Sequence, residues 1–118
     1  MLNVQIFGVK NSSAVRAAER FFKERSIPIH FVDLKQKPMA PGEIKRFIER
    51  FGLVGLLDTE GKAFSDAGLR YLKLSDSELL TRIEKEPKLL RLPLIRGSRG
   101  QLSIGQNEAA WKSMLEAR

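Results

Sequence analysis

Residues 7–22, FGVKNSSAVRAAERFF, carry an apolar strand end through a short polar loop into an amphipathic helix, and their reading decides the fold. Upstream, Leu2, Val4 and Ile6 alternate with Asn3 and Gln5, which predicts a strand over 2–7. Asn11, Ser12 and Ser13 are good helix N-cap types. Val15, Ala18 and Phe22, with Ala14 and Phe21 beside them, then form the i, i+3, i+7 stripe of a helix ending near Ser26. Downstream, IPIHFVDL (27–34) alternates Ile27, Ile29 and Phe31 and predicts a second strand. A strand, a helix and a strand in so short a length make a βαβ unit with parallel strands.

The next stretch, KQKPMAP (35–41), breaks the pattern. Pro41 suits a first helical turn, and Ile44, Phe47, Ile48 and Phe51 make an apolar stripe that Gly52 ends. Residues 53–72 read as short helices joined by DTEGK and DAG. At SDSE (75–78), Ser75 and Glu78 have capping-box spacing and open a helix through Leu79, Leu80 and Ile83 that Pro87 closes. The chain then returns to strands, LPLIR (92–96) and QLSIG (101–105), joined by the hairpin signal GSRG. Asn107 caps a last helix with Trp111, Met114 and Leu115 on one face, where Trp111 reads as core.

The order βαβ, helical insert, ββα predicts an α/β protein of thioredoxin-like fold. Its mixed four-stranded sheet would be flanked by the first and last helices. The expected organisation is one domain over 1–118, with a core of 1–35 and 88–118 and a helical insert of 36–87. The fold would bring the Leu92–Pro93 step close to the start of the first helix and implies a cis peptide there.

Composition narrows the chemistry. The 118 residues include no cysteine, which removes disulfides, thiolate metal sites and any mechanism through the protein's own thiol. His30 is the sole histidine, so it has no second imidazole with which to share a metal, and a solvated strand histidine is the expectation. No cofactor and no metal are expected. The formal charge is +7, and the stretch from Pro87 to Asn107 holds Lys88, Arg91, Arg96 and Arg99 without an acid. This favours an anionic partner, such as a complex containing nucleic acid, an acidic protein surface or a small oxyanion. Neither a helix-turn-helix nor a zinc-finger pattern is present, so direct sequence-specific DNA binding is not expected. No apolar run approaches the roughly 20 residues of a membrane span. The opening MLNVQIFG also lacks the basic region of a secretory signal, so a cytoplasmic protein is expected.

Four segments together carry a resemblance. FGVKN with the helix after it, KPMAPGEIKRFIERFG, LSDSELLTRIEKEPKLLRLPLI and LSIGQNEAAW resemble the ArsC family in order and over nearly the whole chain. That family contains glutaredoxin-linked arsenate reductases and Spx-type regulators that bind RNA polymerase. IGQNE leans towards the Spx side, whose members often carry Gly-Tyr-Asn-Glu there. The resemblance implies that the family's nucleophilic cysteine falls on Ser12 and its second cysteine, where present, on Val15. An arginine of the insert falls on or beside Glu60. The arginine before the proline falls on Leu92, one step from Arg91, and a further reductase arginine falls on Gln106. The resemblance therefore implies the scaffold without the reductase active site.

The loop admits two readings. A helix N-terminus stabilises a thiolate, but a serine hydroxyl there is far less acidic and needs an adjacent base to act as a nucleophile. Ser12 is better read as a capping residue than as a nucleophile. The free N–H groups of that helix start, with Lys10, Asn11, Ser12 and Ser13, also form a natural anion site, which Arg91 would face across the Pro93 loop. A solvated surface charge is the plainer reading of Arg91. The expected function is a catalytically inactive ArsC/Spx-like protein that acts through binding, with a regulatory role. The alternative is arsenate reductase-type activity with an external thiol such as glutathione.

Overall fold

The structure, a computed structural model, describes residues 3–69 and 72–116. The expectations that fell on Leu2, Arg70 and Tyr71 lie outside the described residues. The chain divides into two compact units: one is built from the chain up to Asp33 and from Leu92 onward, the other from Leu34–Arg91.

The first unit holds a mixed four-stranded sheet in the order β2-β1-β3-β4, formed by β1 (Val4–Gly8), β2 (Ile29–Asp33), β3 (Leu94–Gly97) and β4 (Leu102–Ile104). β1 pairs with β2 in parallel and with β3 antiparallel, and β3 pairs with β4 antiparallel. Helix α1 (Ser13–Glu24) makes the crossover from β1 to β2, which is the βαβ unit expected from the sequence. It ends in a turn where Ser26 takes a left-handed φ of 56° and the Ile27 N–H donates to Phe22 O at 2.9 Å. The polar turn GSRG closes the β3–β4 hairpin, with Gly100 at φ 81° and the Gly97 N–H donating to Gln101 O at 2.7 Å.

The strand edges differ from the sequence reading for local reasons. β2 starts at Ile29 rather than Ile27, because Pro28 has no N–H to give a ladder and instead accepts the Val4 N–H at 3.1 Å. β3 starts at Leu94, directly after a Leu92–Pro93 peptide bond that is cis, as the fold implied. β1 runs one residue further than expected, since Gly8 still pairs with Asp33.

The last helix, α5 (Glu108–Glu116), buries Trp111 and Met114, and the Ala110 N–H donates to Asn107 Oδ1 at 3.1 Å as its cap. Trp111 packs with Phe21 and Phe22 of α1 at ring distances of 5.4 and 6.2 Å, so the sole tryptophan is core. Such aromatic packing contributes about 0.5–1.5 kcal/mol beyond the area it buries.

The second unit is helical among its described residues. It comprises α2 (Pro41–Phe51), a 3-10 turn at Val54–Leu56, α3 (Lys62–Asp66), α4 (Asp76–Lys85) and a 3-10 turn at Pro87–Leu89. Gly52, at φ 79°, stops α2. The α2 stripe is shallower than its spacing suggests: Phe47 is buried, while Ile44, Ile48 and Phe51 are half-buried. A backbone clasp joins distant segments, with the Asp58 N–H donating to Leu89 O at 2.8 Å and the Arg91 N–H to Leu56 O at 2.7 Å.

Candidate functional site

The start of α1 is built by a close approach of strand and helix. A Cβ on Gly8 would stand 2.5 Å from Cγ2 of Val15, so only glycine lets the end of β1 pass that near the first helical turn. Val9 is fully buried, and its carbonyl accepts the Ser12 N–H at 3.2 Å, which turns the chain into the helix. Lys10, Asn11 and Ser13 are exposed and Ser12 is half-buried. The loop is thus a polar mouth on an apolar base.

Ser12 has the extended backbone of an N-cap, φ −93° and ψ 125°, and its Oγ accepts the Val15 N–H at 3.3 Å. The Ser12 carbonyl accepts the Arg16 N–H at 3.1 Å. The first turn contains no acidic residue. Among the described residues nothing accepts the N–H groups of Ser13 and Ala14, so two donors and the positive end of the helix dipole face outward. That arrangement can hold an oxyanion.

It does not by itself make Ser12 a nucleophile. The hydroxyl is committed to the helix, and no base contacts it among the described residues. His30 lies level with Gln5, not with the end of β1, and its Nδ1 accepts from the Gln5 amide at 3.2 Å. Three residues of strand, about 10 Å at 3.3 Å per residue, separate that level from Gly8. Val15, at the position of the family's second cysteine, is fully buried.

The other expected site residues divide between the units. Pro93 is buried in the sheet unit, where its carbonyl accepts the Gly105 N–H at 3.0 Å. Arg91 belongs to the helical unit, where its Nε donates to Leu57 O at 2.9 Å. Arg91 is exposed, in keeping with the plainer reading of it, and one edge of its guanidinium is also fastened to backbone. Of the positions onto or beside which the resemblance places reductase arginines, Leu92 is buried and apolar, and Glu60 and Gln106 are exposed. No group of three or more metal-ligating side chains occurs among the described residues.

Sequence reading missed a polar concavity of about 540 Å³ at the other end of the sheet, where Asn3, Gln5, His30, Arg96 and Ser98 meet. Gln5 is the register partner of both His30 and Arg96, so the three side chains form one row across β2, β1 and β3. Period-2 alternation marks Gln5 and His30 as outward residues, but nothing local pairs them. Register emerges only with the sheet.

Comparison with known proteins gives consistent results. The sequence model of the ArsC family matches residues 7–114. A global transcriptional regulator Spx of Listeria innocua is 26% identical over 117 residues, covering 98% of this chain and 88% of that protein. A global transcriptional regulator Spx 1 of Oceanobacillus iheyensis is 26% identical over 107 residues, covering 89% of this chain and 81% of that protein. In fold, the chain superposes on an arsenate reductase of Vibrio cholerae with a TM-score of 0.75 at 19% identity, covering 98% of this chain and 97% of the other.

Proposed function

Because this chain belongs to the ArsC family, we propose that it is a member without thiol chemistry, which acts through binding in a regulatory role. The observation that carries this reading is the state of Ser12. The residue at the nucleophile position is a hydroxyl spent on capping α1, and the chain has no cysteine to replace it. An oxyanion or an acidic side chain would be held by the Ser13 and Ala14 N–H groups with Lys10 and Asn11, and Pro93 would shape the same mouth. Arg91, in the helical unit, is a further candidate for holding an anion.

The partner suited to the +7 charge is an acidic protein surface. RNA polymerase is the partner that the Spx resemblance implies, and relatives named as transcriptional regulators support a regulatory role. We read residues 1–118 as one ArsC-like domain, with its core in 1–35 and 88–118 and its insert in 36–87, working in the cytoplasm without a cofactor. Among the described residues no helix is long and apolar enough to cross a membrane.

The competing reading is reduction of arsenate by an external thiol such as glutathione, with the open α1 start holding the substrate. The two unfilled N–H groups favour it. A coupled glutathione–glutaredoxin assay separates the two. Binding without turnover predicts no arsenate-dependent consumption of NADPH above the blank. Consumption proportional to protein concentration would establish the enzyme.

A further inference from the structure

The helical unit contains a pocket of about 150 Å³ that none of the reductase or regulator positions touches. Ile44 of α2, Leu80 and Ile83 of α4, Leu90 and Met39 form its walls. Ile83 and Leu90 are buried, whereas Met39, Ile44 and Leu80 are half-buried. Pro38 and Glu84 also line it and are exposed, so the pocket opens to solvent past them. This accounts for the half-burial of Ile44 on the α2 stripe, which faces a hollow rather than a packed neighbour. A volume of about 150 Å³ is of the size that takes a benzene ring in enclosed apolar cavities. Met39 adds a wall that adapts to the shape of an occupant.

One lining residue is out of character. Leu80, Ile83 and Glu84 follow the i, i+3, i+4 spacing on α4, so Glu84, though exposed, stands at the edge of the stripe that lines the pocket. It is the pocket's one charged side chain. Among the described residues it has no ion-pair or hydrogen-bond partner. A carboxylate without a partner at the mouth of an apolar pocket is the arrangement expected for a ligand with an apolar body and a cationic tip.

We propose that this pocket binds a small aromatic or branched aliphatic amine, its apolar part among Ile44, Leu80 and Ile83 and its ammonium on Glu84. The preference runs against the charge of the whole molecule, which at +7 repels cations. Selectivity for an amine would therefore come from Glu84 alone. An exposed ion pair of this kind corresponds to a preference of roughly two- to fivefold over a neutral isostere.

The test is a titration of the 118-residue chain with benzylamine, benzyl alcohol and benzoate, followed by the methyl NMR shifts of Leu34, Ile44, Leu80, Ile83 and Leu90. The expected result is saturable shifts of these methyl groups, tightest for benzylamine, weaker for benzyl alcohol and weakest for benzoate. Glu84→Gln lies on the surface and should bring benzylamine level with benzyl alcohol. Leu80→Phe should fill the hollow and abolish the shifts for all three. If none of the ligands moves the lining methyls, or benzoate binds as tightly as benzylamine, the proposal is overturned. An undiminished benzylamine preference in Glu84→Gln overturns it equally, and that readout survives if Leu80→Phe fails to fold. Neither the outcome nor the readout depends on the oxyanion site at α1.

Discussion

Helices α1 and α4 both begin on a serine, and their starts differ in the residue three positions beyond it. At α4, Ser75 Oγ accepts the Glu78 N–H at 3.2 Å while Glu78 Oε1 accepts the Ser75 N–H at 3.1 Å, and Asp76 adds a second acid to the first turn. At α1, Ser12 accepts the Val15 N–H, but Val15 has nothing to return and the turn holds no acid. Acids oppose the dipole at one helix start and none does so at the other. On α1 the deciding residue is pressed against Gly8, so a glutamate could not stand there without losing the strand–helix packing. An open, positively polarised start is thus a consequence of how β1 meets α1, and it persists although no cysteine uses it.

The largest effect should come from putting sulfur into the open start. Ser12→Cys should give a thiol with a pKa well below the ordinary value of about 8.5, because the unfilled N–H groups and Lys10 favour the thiolate. Rapid alkylation by iodoacetamide at neutral pH would report it. Ser75→Cys, in the acidic turn of α4, should react far more slowly. Even so, Ser12→Cys should remain a very poor arsenate reductase. Charge that develops on arsenate as sulfur attacks needs arginines, and the absence of each such arginine costs on the order of 10²–10³ in rate. Adding Leu92→Arg and Glu60→Arg to Ser12→Cys should raise turnover. High activity in Ser12→Cys alone would mean that the arginine positions matter less than the thiol.

Next in size is Gly8→Ala. The added methyl meets the stiff, β-branched Val15 side chain, and overpacking of this kind costs about 1–3 kcal/mol. Chemical denaturation should show the loss, and Val15→Ala in the same chain should recover part of it. A neutral Gly8→Ala would remove the proposed reason for the open start.

A smaller effect, opposite in sign, is expected for Ser13→Asp. Supplying the missing acid to the α1 dipole should raise stability by about 0.3–1 kcal/mol. It should also weaken sulfate or arsenate binding at α1 roughly fivefold or more. The change would make α1 resemble α4, and stabilisation without loss of anion binding would break the parallel.

The smallest effect concerns pH. The Ser75 backbone N–H, then its hydroxyl, then Arg82 hold the exposed Glu78 carboxyl below its usual value. A carboxylate depressed by folding supports the folded state above its unfolded pKa of about 4.3. That support is lost as pH falls through the lower folded value. Thermal unfolding of Glu78→Gln should therefore show a shallower acid limb than the parent, with the two curves converging at low pH.

Most of the fold was legible because its signals are local. Ser12, Ser75 and Asn107 are caps that act within three residues, Gly52 and GSRG mark turns, and the periods of α1 and β1 need no distant partner. The site was legible only where it is local too. Lys10 to Ser13 are consecutive in the chain, but the Arg91–Leu57 bond spans 34 residues and the Gln5–His30 bond spans 25, and no spacing rule reaches so far. The apolar stripe of α2 misled for the same reason. Its period said which face turns inward, but the hollow beside Ile44 depends on α4 and on Leu90.

The central claim, that the α1 start holds an oxyanion while the α4 start is closed, is tested most directly by titrating the protein with arsenate and following backbone amide shifts. The account predicts saturable shifts at Ser13 and Ala14, with Asp76, Ser77 and Glu78 unmoved. Shifts spread evenly over the lysines, or as large at α4 as at α1, would contradict it.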